Sequence, residues 1–143
     1  MDSVNYIREH MQKTIETKQK MMADEALVQR LADAAALCVD ALKNGKKVMF
    51  AGNGGSAAIA SHFSVDLTKN TKIKCQNFNE ADLLTCFSND YGYENWVAKA
   101  IEFYAERKDV IIFISSSGKS QNMLRGVKMA KNKKISKIIT LTG

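Results

Sequence analysis

Apolar residues recur on two different periods along this chain, and the change of period divides it. Val4, Ile7, Met11, Ile15 and Met22 follow one another at three-, four- and seven-residue steps, which predicts a helix over 4–22. Asp2 or Ser3 can cap its start. Val28, Leu31, Ala35, Cys38 and Leu42 line one side of a second helix from about Asp24 to Lys43, and Asn44-Gly45 stops it. From there the runs shorten. "KKVMFAG" reads as a strand and 56–68 as a helix. Residues 73–78 read as a weak strand, 81–87 as a short helix, and 94–107 as a longer helix carrying Trp96, Ala100 and Phe103. "DVIIFISSSG" is the clearest strand. "SQNMLRGVKMAKNKK" is a basic amphipathic helix with Met123, Val127 and Ala130 facing in, and "KIITLTG" is a last strand. Proline is absent, so breaks fall to Gly, Asn and Lys clusters.

Strands that alternate with helices predict an α/β fold with a parallel sheet. The uninterrupted run Val110 to Ile114 fits a strand buried on both faces. In such sheets ligands bind beyond the carboxyl ends of the strands. The loops leaving "VMF" and "IIFI" therefore carry the functional question.

Composition narrows the class. A length of 143 residues fits one domain with one real core. The three cysteines, Cys38, Cys75 and Cys86, are odd in number and contain no C-x-x-C. That argues against a disulfide framework or a zinc ribbon and fits a reducing cytoplasm. No apolar run approaches the roughly 18 residues of a membrane span, and the polar N-terminus has no signal-peptide segment. A net charge of +6 fits anionic partners such as phosphates, and fits a lysine-coated solvated face equally well. The basic helix over 121–134 has no interleaved aromatics, which speaks against nucleic acid.

The first loop, within "AGNGGSAAIASHF", joins a strand to a helix start through three glycines and an Asn. Free N–H groups at a helix N-terminus attract anions, and glycine lets the backbone come close to one. "GNGGSA" formally matches the dinucleotide pattern G-x-G-x-x-A. The acidic residue that pattern needs about 20 positions on has no good candidate, Glu80 lying late. The P-loop fails because Phe113 stands where its first Gly must be. No nucleotide cofactor is expected. The second loop, "SSSGKS" at 115–120, sets four hydroxyls around one glycine between a strand and a helix. It reads either as a serine-rich cap and turn or as a cradle for a phosphate dianion. Two such loops on two strand ends point to a phosphorylated small molecule.

"AGNGGSAAIASHFSVDLT", "SNDYGYENW" and "ISSSGKSQNML", in this order and spacing, resemble the sugar isomerase (SIS) domain family, and within it the phosphoheptose isomerases. The resemblance spans the chain. It implies a Rossmann-like parallel sheet sandwiched by helices, with leading N-terminal helices, as a single SIS domain over 1–143. Residues 1–44 would form those helices and 45–143 an α/β core. It also implies a cytoplasmic homotetramer with active sites between subunits. By the same resemblance Ser115, Ser116, Ser117 and Ser120 hold the sugar phosphate. Asn53, Gly54, Gly55 and Ser56 line the sugar, and Asn89 and Asp90 face it. Zinc is implied through a His and a Glu one helical turn apart, the places taken here by His62 and Asp66. The family continues beyond the position of Gly143 through a strand and a long helix that supplies a His and a Gln.

The chemistry can be argued from the residues as well. Aldose–ketose isomerisation moves a proton between adjacent carbons through an enediol, and needs a base and a second group to shuttle protons among the oxygens. His62 and Asp66, at i and i+4, share a helix face that begins at the first loop. They suit acid–base work, half of a metal site, or a merely structural contact between neighbours. Asp66 is one methylene shorter than the family's Glu, which withdraws the carboxylate by roughly 1 Å, and a misplacement of about that size can cost ~10²-fold in rate. Two functions follow. One is an isomerase converting sedoheptulose 7-phosphate to D-glycero-D-manno-heptose 7-phosphate for lipopolysaccharide or capsule heptose. The alternative is a non-catalytic SIS module that binds a sugar phosphate or a protein partner. The Met and Leu stripes of the first two helices are expected to pack against other subunits.

Overall fold

The computed structural model describes residues 2–143 and divides the chain into two units, one up to Ala36 and one over Leu37–Gly143. The first unit holds helix α1 (Ser3–Ala23) and most of α2 (Glu25–Lys43). Asp2, rather than Ser3, caps α1, its carboxylate accepting from the Val4 N–H at 3.2 Å. Asp24 caps α2 in the same way through the Leu27 N–H at 2.9 Å. Both helices begin where an acidic side chain satisfies an otherwise unpaired amide. Their apolar stripes are not buried: α1 has no buried residue, and Val28 and Leu31 are about half exposed. Burial in α2 starts only at Cys38 and Ala41, in the second unit. The last turns of α2, from Leu37 on, belong to the same unit as the α/β core.

The second unit carries strands β1 (Lys47–Gly52), β2 (Lys74–Asn77), β3 (Val110–Ile114) and β4 (Lys137–Leu141) in one parallel sheet, in the order β2-β1-β3-β4. The register sets Phe50 beside Ile112, and Ile112 beside Ile139. Between the strands run α3 (Gly55–Thr71), α4 (Ala81–Tyr91), α5 (Trp96–Tyr104) and α6 (Gln121–Asn132). Successive side chains point to opposite faces of a strand, so β1 and β3 feed two cores. Met49, Ala51, Ile111 and Phe113 pack with Trp96, Ile101 and Met123. Val48, Phe50, Val110, Ile112 and Ile114 pack with Cys38, Ala41 and Ala60. A sheet covered on both faces explains why β3 has no polar position. β4 forms an edge, and its last residues, Thr140 and Leu141, are exposed.

Helix ends differ from the sequence reading: α3 runs to Thr71 rather than 68, and α6 stops at Asn132 rather than 134. α4 extends to Tyr91 rather than 87, ending where Gly92 adopts φ +86°. α5 ends at Tyr104 rather than 107. Beyond it, the buried carboxylate of Asp109 accepts from the Glu106 N–H at 2.8 Å and the Lys47 N–H at 3.1 Å and pairs with the Lys47 ammonium at 2.8 Å. Those bonds draw the 105–109 turn onto the start of β1 instead of continuing the helix.

Candidate active site

The chain leaves β1 on one side to form β2 and returns on the other side to form β3. The strand order therefore reverses between β1 and β3, and such a switch point opens a crevice at the carboxyl ends of the strands. The Asn-Gly-Gly turn leaves β1 there and the serine loop leaves β3 there. The topology thus brings together the two loops that the sequence singled out.

At the first loop Gly54 precedes α3 with φ +53°, a conformation that only glycine adopts without strain. Having no side chain, it leaves the start of α3 uncapped, as an anion site requires. The helix then closes on the turn, the Ser56 N–H reaching the Asn53 carbonyl at 3.0 Å. Gly52 is set by contact instead: a Cβ there would lie 2.6 Å from the carbonyl carbon and oxygen of Ser56.

The serine loop is tied at its base and open at its tip. The Ser115 N–H continues the ladder to the Leu141 carbonyl at 3.0 Å, and the Gly143 N–H reaches the Ser116 carbonyl at 3.1 Å. Ser115 is buried, whereas Ser116 and Ser117 are exposed. The Ser117 hydroxyl accepts from the Lys119 N–H at 3.2 Å. Ser120 is the N-cap of α6, yet its side chain makes no capping bond. The Met123 N–H that it would ordinarily cap is taken by Asn122 Oδ1 at 3.1 Å. The Ser120 hydroxyl therefore stays free at a helix N-terminus.

Asn122 is the residue that the sequence reading missed. It is 2% exposed and exchanges two hydrogen bonds with Asn53 across the crevice. Asn53 Nδ2 donates to Asn122 Oδ1 at 2.9 Å, and Asn122 Nδ2 donates to Asn53 Oδ1 at 2.8 Å. The Tyr93 hydroxyl, from the segment between α4 and α5, donates to the same Asn53 Oδ1 at 3.2 Å.

His62 and Asp66 lie on the exposed face of α3 with Nε2 and Oδ2 3.4 Å apart. His62 is a solvent-facing imidazole, its side chain 81% exposed. Asn89 and Asp90 close the last turn of α4, the Asn89 amide donating to Asp90 Oδ1 at 2.9 Å. Among the described residues no hydrogen bond links that pair to either loop. His10 is exposed on α1.

A parallel sheet with a glycine turn and a serine loop meeting at its switch point is the architecture the resemblance to SIS domains implies. Residues 9–143 match the family described as "SIS domain", and the chain belongs to that family. Among its relatives are phosphoheptose isomerases. One from Sodalis glossinidius is 36% identical over 142 residues, which cover 96% of this chain and 73% of that protein. Another, phosphoheptose isomerase 2 of Campylobacter jejuni, is 34% identical over 94% of this chain and 71% of its own length. Among solved structures, the phosphoheptose isomerase of Francisella tularensis superposes with a TM-score of 0.92 at 30% identity, covering all of this chain and 76% of the other. That of Neisseria gonorrhoeae gives 0.89 at 32% identity, over 97% and 75% of the two chains.

Proposed function

We propose that the chain interconverts sedoheptulose 7-phosphate and D-glycero-D-manno-heptose 7-phosphate, supplying heptose for lipopolysaccharide or capsule. The observation that carries this reading is the meeting of the two loops at the β1/β3 switch point, with His62 and Asp66 on the helix that starts from one of them. The phosphate is received by Ser115, Ser116, Ser117 and Ser120 together with the uncapped amides of α6, where helix charge and hydroxyl donors act together. The sugar lies toward Asn53, Gly54, Gly55 and Ser56, with Asn89 and Asp90 on its far side. Asp66 takes the C1 proton of the ketose and returns it to C2, and the electron pair passes through the enediol. His62 moves protons between O1 and O2.

Zinc fits only in part. A zinc ion takes three or four protein ligands, and His62 and Asp66 offer two at a mutual distance suited to one ion. Among the described residues no cluster of three His, Cys, Asp or Glu side chains completes the set, so the proton transfers above are assigned to the side chains alone.

The protein is proposed to work as a cytoplasmic homo-oligomer, a tetramer by family resemblance. The exposed Ile7, Met11, Ile15 and Leu31 of the leading helices form stripes that soluble proteins usually cover, and the three free cysteines suit a reducing compartment. No helix among the described residues is long and apolar enough to cross a membrane. Light scattering at micromolar concentration should give a mass of several chains, and a stable monomer overturns the assembly. For the activity, purified protein is incubated with sedoheptulose 7-phosphate and the aldose is read by a coupled assay. Turnover that disappears in Asp66→Asn supports the reading. Tight binding without turnover, with or without added zinc, replaces it by the binding-module function.

A further inference from the structure

We propose that Asn122 is a positioning residue of the isomerase, acting through Asn53 and with the help of Tyr93. This rests on the isomerase reading above. The Met123 N–H can only donate. Its bond to Asn122 at 3.1 Å fixes which end of the buried Asn122 amide is oxygen, a choice that electron count alone leaves open in an Asn. With Oδ1 so placed, the partner atom on Asn53 must be Nδ2, and the reciprocal bond makes the other Asn53 atom Oδ1. The Tyr93 hydroxyl then serves as the donor to that oxygen. Both lone pairs of Asn53 Oδ1 are used, by Asn122 and Tyr93. One Nδ2–H is used as well. A single amide hydrogen remains.

Asn53 can therefore only donate to a substrate. It suits the oxygens of a sugar at the carbonyl and hydroxyl being interconverted, and offers no acceptor to them. The clasp joins positions 69 residues apart in sequence, one on the turn after β1 and one in the first turn of α6. The Asn53 turn and the serine loop are thereby held at one separation, and the sugar end is set relative to the phosphate end. A third tie runs from Arg125 Nη1 to Asn95 Oδ1 at 2.6 Å, which fixes the segment that carries Tyr93 onto the same helix. Without Asn122, Asn53 regains rotamers and an open acceptor, and a displacement of about 1 Å at a reacting group can cost ~10²-fold.

The test is a double-mutant cycle with Asn53→Ala, Asn122→Ala and the double variant, in the full chain. Turnover of sedoheptulose 7-phosphate and calorimetric Kd are both measured, and the calorimetric stoichiometry gives the folded, binding-competent fraction. Expected for Asn122→Ala is a fall in kcat of about 10-fold or more per competent site, with KM changed by less than about 3-fold, because Asn53 loses both of the bonds that orient its amide. In the Asn53→Ala background the same substitution should cost less than about 2-fold, because nothing is left to position. Tyr93→Phe, at a half-exposed side chain where folding is not at risk, should cost about 2- to 5-fold with Asn53 present and nothing without it. If Asn122→Ala and Tyr93→Phe impose the same loss whether or not Asn53 is present, they act independently of it and the positioning role is overturned. Wild-type protein that does not turn over the sugar phosphate, whether or not it binds it, overturns the isomerase reading, and this inference with it.

Discussion

Gly52→Ala adds one methyl group at the last residue of β1, in a conformation that any residue adopts. Its consequences are steric. The new Cβ would meet the Ser56 carbonyl carbon and oxygen at 2.6 Å and the Ala57 nitrogen at 2.9 Å, all of them backbone atoms. No rotamer relieves such a contact. To reach ordinary contact at 3.4 Å, the first turn of α3 must retreat from β1 by about 0.8 Å. Overpacking of this kind costs about 1–3 kcal/mol. For a chain of this size that lowers the melting midpoint by roughly 2–12 °C. The displaced turn carries Gly55 and Ser56, and the helix beyond it carries His62 and Asp66, so the shift reaches part of the sugar lining and both side chains assigned to proton transfer. A change of about this size should lower kcat/KM by ~10²-fold, more than the loss of stability explains at 25 °C, where the variant remains folded. Thermal melts followed by circular dichroism and a steady-state assay on the same preparation read both effects. A variant with wild-type midpoint and wild-type kcat/KM would refute the close approach between β1 and α3 on which the geometry of the site depends.

Ser120→Ala should weaken sugar-phosphate binding by about 1 kcal/mol or more, since its hydroxyl is free for the ligand rather than engaged in capping. Calorimetry that finds unchanged affinity removes Ser120 from the phosphate site. Asp66→Asn keeps size and removes basicity, so turnover should collapse with little change in Kd, and Asp66→Glu should raise turnover if reach limits the wild type. Equal activity of all three forms in the coupled assay excludes Asp66 as the base. On the fold, the Lys137 ammonium hydrogen-bonded to Asp40 holds that carboxyl below its ordinary pKa of 3.8. A depressed folded pKa contributes stability above the unfolded value and loses it as pH falls through the folded one. The melting midpoint of Asp40→Asn should therefore lie below wild type at neutral pH, and the gap should close as pH falls below 3.8. A gap that persists unchanged at pH 3 contradicts the pairing.

How much of this was legible without the fold varies with how local each signal is. β3 was legible because a strand buried on both faces needs five consecutive apolar residues, and Val110 to Ile114 supply them. The two loops were legible because glycines and serines at strand-to-helix junctions serve few other purposes. The end of α4 was not, because Ser88, Asn89 and Asp90 are weak helix formers that resemble a break, while the actual stop is Gly92. Strand order was also hidden, since it is set by pairing across long separations and not by any one segment. Asn122 was hidden for the same reason. In sequence it is one polar residue in the first turn of a basic helix, where a solvated side chain is the ordinary expectation. Its partner lies three helices and two strands earlier in the chain, and only the adjacency of β1 and β3 brings the two amides together.

Proton transfer through an enediol on a sugar 7-phosphate leaves an isotopic record, read by incubating the protein with sedoheptulose 7-phosphate in D₂O and following the sugar by NMR. Asp66 is half exposed in the single chain, so a proton held there exchanges with solvent before it is returned. The aldose should appear with deuterium at C2 and recovered ketose should gain deuterium at C1, both abolished in Asp66→Asn. A ketose that persists unconverted, with protium retained at C1 after prolonged incubation with wild-type protein, contradicts the enediol transfer.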